Sequence, residues 1–175
     1  ALGTFLGGFA SDRLSHRHPR VYSWLPALGV LIALPLYLLS FWQTAFWLSF
    51  AILMVAPIFH YLYLGPGFAV VQSIAPPRMR ATATAVLLLI VNLIGYGLGP
   101  PTLDGLADYF ANAELAPQAL SVKQCLDAGK NASGACEPAV AHGLKYAMMC
   151  VVALLPWPAL HFWLAGRTFL KDRVS

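Results

Sequence analysis

Gly8-Phe9-Ala10-Ser11-Asp12-Arg13-Leu14-Ser15-His16-Arg17 is a short charged stretch between two apolar ones, and its reading governs the rest of the chain. Upstream lies ALGTFLG, residues 1–7. Downstream, past Arg20, runs VYSWLPALGVLIALPLYLLSFW, residues 21–42, with no charged residue in it. A hydrocarbon core of roughly 30 Å, divided by a 1.5 Å rise per residue, asks for about 20 apolar residues per helix. Residues 21–42 meet that length, so the charged stretch reads as a connector at a membrane surface and residues 1–10 as the end of an earlier helix.

The same arithmetic yields three further spans. Residues 44–75 form one of 32 residues, too long for an untilted crossing, and Gly65, Pro66 and Gly67 predict a kink within it. Residues 81–103 and 144–165 give the others. The whole chain fits this reading: of 175 residues 59% are hydrophobic and 10% charged, with ten Phe, seven Tyr, five Trp and a mean hydropathy of +0.67. Soluble domains carry about a quarter charged residues, so a soluble enzyme, a disordered tail and a disulfide-rich secreted module all fit poorly. The expected class is an all-α membrane protein. Because the sequence opens at Ala1, without Met and inside an apolar run, it reads as the tail of a longer protein.

The few charges set the topology. Eight of the 11 Lys and Arg residues fall in three short segments: Arg13, Arg17 and Arg20; Arg78 and Arg80; Arg167, Lys171 and Arg173. Such a bias marks the cytoplasmic face, which puts the C-terminus inside. Residues 104–143 then form a long extracytoplasmic loop in which Asp104, Asp108, Glu114, Asp127 and Glu137 outnumber Lys123 and Lys130. The net charge of +4 needs no nucleic acid to explain it, since no basic run interleaved with aromatics occurs. The location implied is a plasma membrane or bacterial inner membrane.

The connector resembles the G-x-L-A-D-R-x-G-R-K signature that joins helix pairs in the major facilitator superfamily. Gly8, Asp12, Arg13 and Arg17 match, while Ser15 and His16 replace the usual Gly and basic residue. A glycine lets two helices approach, and an Asp at a helix end can pair with guanidinium groups, so the four read as a conformational latch; the bland reading is an ordinary charged helix terminus. Tyr63–Gln72, Pro76–Ala83 and Asn92–Pro100 resemble helices ten and eleven of the superfamily's spinster-like branch. The resemblance implies part of the C-terminal six-helix bundle, helices eight to twelve, of a twelve-helix carrier working by alternating access. Helices three to six of the other bundle remain an open register. It further implies a missing N-terminal bundle and membrane lipids as partners, and a small organic or amphipathic lipid-like solute. Neither a cofactor nor a metal is implied.

Within the spans, His60 and Tyr63 lie three positions apart, and Asn92 and Tyr96 four, so each pair shares a helix face. All four are candidates for a substrate cavity. For His60 the alternative is a neutral imidazole bonded to a neighbouring carbonyl; for Asn92, an interhelical hydrogen bond worth about 1 kcal/mol. Gly95 and Gly99 form a small-x-x-x-small pair suited to close packing, with Pro100 a candidate kink. Cys125 and Cys136 share the outer loop and can form a disulfide there. Cys150 reads as buried in the last span. Asn131-Ala132-Ser133 fits the glycosylation sequon. No zinc spacing, phosphate-cradling loop or nucleophile elbow occurs, so no enzyme is expected. A non-transporting membrane fragment or helix-packing module stays open as the alternative to a transporter.

Overall fold

The computed structural model describes residues 1–129 and 134–172, with side chains placed up to residue 168. The sequon, Lys130 and Arg173 lie outside the described residues. Helices α1 (Leu2–Ser15), α2 (Val21–Trp42), α3 (Phe46–His60), α4 (Leu64–Ile74), α5 (Arg80–Leu115), α6 (Val122–Ala128), α7 (Cys136–Val152) and α8 (Pro156–Asp172) follow one another, and no strand occurs among the described residues. Among the described residues four helical stretches are long and apolar enough to cross a membrane: Val21–Trp42, Phe46–Ile74, Pro77–Gln118 and Cys136–Thr168. The chain divides into two compact units, Ala1–Leu89 with Val152–Ser175, and Ile90–Val151.

In the first unit, α2 packs against α1, α3, α4 and α8. Its small residues do this work: Ala27, Val30 and Ala33 are buried, and Gly29 lies so close to α3 that a Cβ there would stand 2.6 Å from the Phe59 carbonyl oxygen. Near the α2–α3 turn, Ser40 and Ser49 bond reciprocally, each hydroxyl donating to the other residue's carbonyl at 3.0 and 2.9 Å.

The second span breaks earlier than Gly65–Gly67 suggest. Those residues sit inside α4, and the irregular turn is the 3-10 segment Tyr61–Tyr63. Pro66 has no N–H to offer the Leu62 carbonyl one turn before it, so the distortion falls N-terminal to the proline. The last span is interrupted too. Pro156 cannot donate to Val152, and the N–H of Leu155 takes that carbonyl at 3.0 Å, ending α7 before α8 begins.

Residues 104–143 are not one long loop. Helix α5 continues through Pro100 and Pro101 to Leu115, 36 residues in all or about 54 Å. Its extension has a helical stripe, Leu103, Leu106, Ala107, Phe110, Ala111 and Leu115, which five acids in the region obscure. Ala111 and Leu115 pack with Val122, Cys125, Cys136 and Ala139 in a small apolar core. A Cβ on Gly143 would stand 2.5 Å from the Ala107 carbonyl oxygen, so α7 lies directly on α5. Asn112 accepts from the Val122 N–H at 2.8 Å, Ser121 caps α6, and Glu114 meets His142 at 3.1 Å. Cys125 and Cys136 form a disulfide with Cα atoms 5.6 Å apart. Ala119, at φ 55°, turns the chain from the α5 end toward α6 in a left-handed conformation uncommon for a residue with a Cβ.

Candidate functional site

At the end of α1, the Asp12 carboxylate accepts a hydrogen bond from the Tyr22 hydroxyl at 2.7 Å, and the Ser15 hydroxyl donates to the Asp12 carbonyl at 2.8 Å. Among the described residues Asp12 makes no ion pair with Arg13 or Arg17, which are exposed. The connector is thus tied to the first turn of α2 by a phenol, a partner that the signature's own residues do not include.

The glycine that brings the helices together is Gly7, not Gly8. A Cβ on Gly8 would meet nothing within 4 Å, whereas one on Gly7 would run into the Leu62 carbonyl oxygen and one on Gly3 into that of Ile58. Gly3, Gly7 and Ser11, at intervals of four, are the buried residues of α1. One position along a helix is a rotation of about 100°, enough to put Gly8 beside the contact instead of in it. Gly65 answers from α4, where a Cβ would stand 2.9 Å from the Gly8 nitrogen. The spacing Gly3-x-x-x-Gly7-x-x-x-Ser11 was the signal available in the sequence.

His60 belongs to an aromatic cluster in the first unit. Its ring meets Tyr37 of α2, Tyr61 and Tyr63 edge-on, with centroids 5.9, 5.4 and 6.0 Å apart, and Tyr63 in turn packs on Phe162 of α8 at 6.0 Å. His60 Nδ1 is buried and has no hydrogen-bond partner among the described residues. Asn92 and Tyr96 lie in the second unit, one turn apart on α5, both exposed, Tyr96 at 80%. No described atom comes within 4 Å of a Cβ built on Gly95 or Gly99, so the packing expected of that pair is not made within the described chain. Gly67 is equally open. Cys150, expected to be buried, is exposed, because the inward face of α7 is made by Ala139, Gly143 and Ala147.

These features define a piece of a polytopic helical membrane protein whose spans pack through glycine and whose polar side chains are few and localised. No protein-family model matches the chain. It is 32% identical, over 174 residues and 99% of its length, to an MFS-type efflux pump of Mycolicibacterium smegmatis. It also superposes on two crystal structures of a bacterial homologue of the human lysosomal transporter Spinster. These are inward-facing, unoccupied and occupied, with TM-scores of 0.82 and 0.83, 38% identity and 99% of this chain covered. The chain belongs to the major facilitator superfamily, in its spinster-like branch. It spans 35% of the efflux pump's length and 38–39% of the solved chains.

Proposed function

We propose that the chain supplies helices eight to twelve of a secondary-active carrier, which moves a small organic or amphipathic, lipid-like solute by alternating access of two six-helix bundles. The face of α5 bearing Asn92 and Tyr96 carries this reading. Both residues are exposed within a span otherwise apolar enough to cross a membrane. Polar groups left against hydrocarbon are costly, which favours water or solute beside them. The N-terminal bundle faces this side, and the open stripe of Gly95 and Gly99 suits the close approach of its helices. His60 and Tyr63, on the second span in the first unit, are separate candidates for contact with solute. The carrier sits in a plasma membrane or bacterial inner membrane with its C-terminus cytoplasmic. Its solute is released chemically unchanged, and the efflux pump among its relatives favours export.

Two measurements test this in the full-length carrier reconstituted in proteoliposomes. Asn92→Leu lowers solute flux per molecule by about tenfold, the loss of one hydrogen bond to solute, with membrane abundance unchanged. Unaltered kinetics would remove Asn92 from the site. At the connector, Asp12 acts as a latch through its bond with Tyr22. Tyr22→Phe shifts the balance of inward- and outward-facing forms, read by accessibility of engineered cysteines, by up to about tenfold. A distribution identical to wild type would reduce the connector to an ordinary helix terminus.

A further inference from the structure

Between α2 and α8 lies a groove of about 640 Å³, within the size range of small-molecule sites. Ala27 and Ala159, both nearly fully buried, form its floor; Trp24 and Leu31 on α2, and Leu160 and Trp163 on α8, form its half-exposed walls. From Trp24 to Leu31 the groove follows seven helical rises, about 10 Å, most of the roughly 15 Å depth of one leaflet.

The two ends of this groove differ. Trp24 and Trp163 stand at the same end, since a Cβ on Gly166 would lie 2.7 Å from Trp24 Nε1. That end carries Arg20, the N-cap of α2, and Arg167, whose guanidinium stacks 4.1 Å from the Trp163 ring centroid. Tryptophans of this kind sit at the membrane–water boundary, and a cation stacked on an aromatic face keeps its N–H groups directed outward from the ring edge. Among the described residues no carboxylate pairs with Arg167.

We infer that this groove is a binding site for one anionic phospholipid, its phosphate against Arg167 and one acyl chain in the slot between α2 and α8. The predominantly apolar lining disfavours a free phosphate or a polar metabolite as the occupant. The guanidinium at one end only orients the lipid, headgroup toward the Trp24–Trp163 end and chain toward Leu31 and Pro156. The Asp12 carboxylate near this end is engaged by the Tyr22 hydroxyl, whereas Arg20 and Arg167 supply two positive charges, which favours an anionic headgroup over a zwitterionic one.

The test is native mass spectrometry of the full-length carrier, extracted from nanodiscs that hold equal phosphatidylglycerol and phosphatidylethanolamine. Wild type retains one phosphatidylglycerol, preferred about fivefold, the effect of one basic residue at a membrane surface. Arg167→Gln, at an exposed position, loses the preference, and Leu31→Trp, which fills the slot from its rim, loses the bound lipid. Equal preference in Arg167→Gln and wild type, undiminished retention in Leu31→Trp, or a wild type that carries no lipid would each overturn the assignment. Thermal midpoints of both variants within a few degrees of wild type exclude misfolding as the cause.

Discussion

Gly7→Val is expected to leave almost no monodisperse protein. Its side chain would have to occupy the space of the Leu62 carbonyl oxygen, and backbone cannot rotate aside as a side chain can. Leu62 is also where the second span is weakest, because Pro66 leaves that carbonyl without its intrahelical donor and Gly7 packs directly on it. Retreat of α1 would open the neighbouring contacts as well, since Gly3 is held against Ile58 and Gly65 lies on the backbone of Gly8. Overpacking at a site so constrained costs about 3 kcal/mol or more. Size-exclusion profiles after graded heating read the loss, and Gly105→Val, placed on α5 where nothing lies within 4 Å, serves as the matched control. If both variants behave like wild type, the close approach of α1 and the second span is wrong.

The paired change Cys125→Ser and Cys136→Ser is expected to loosen α6 and its contacts in the second unit and nothing else. A disulfide closing a loop of about 12 residues restrains it by about 3 kcal/mol, so amides of α6 should exchange about a hundredfold faster without it. Backbone amides of α2 and α3, which belong to the first unit, keep their protection. Hydrogen exchange with and without reductant checks both halves of the statement. Unchanged α6 exchange would mean that the apolar core and the Asn112–Val122 bond suffice alone.

The spans were legible because hydropathy integrates over twenty residues and tolerates local error. Val21–Trp42 agrees end for end with its sequence reading for that reason. The misreadings are local and share a cause: a residue's effect was placed on the residue itself. Pro66 bends the chain at Tyr61–Tyr63, one turn away, because a proline disturbs its hydrogen-bond acceptor. The signature drew attention to Gly8, yet the contact is made by the neighbouring Gly7, a distinction that depends on helix phase. Five acids marked residues 104–143 as outside the membrane, which says nothing against helix, and the stripe from Leu103 to Leu115 was hidden by weighing composition above period. Tyr22 carries no signal at all, since a tyrosine at the start of a span reads first as an interfacial anchor.

The reciprocal bond between Ser40 and Ser49 has a mechanical meaning. Apolar contacts between two helices let one slide along the other at little cost, because one methyl replaces another. Paired hydroxyl–carbonyl bonds have a single register, and a shift of α3 by one residue breaks both of them together. With only Gln43–Ala45 joining the helices, α2 and α3 form a pinned hairpin. Movement of α2 along its axis is therefore carried to α3 at this turn, and there the two legs travel together.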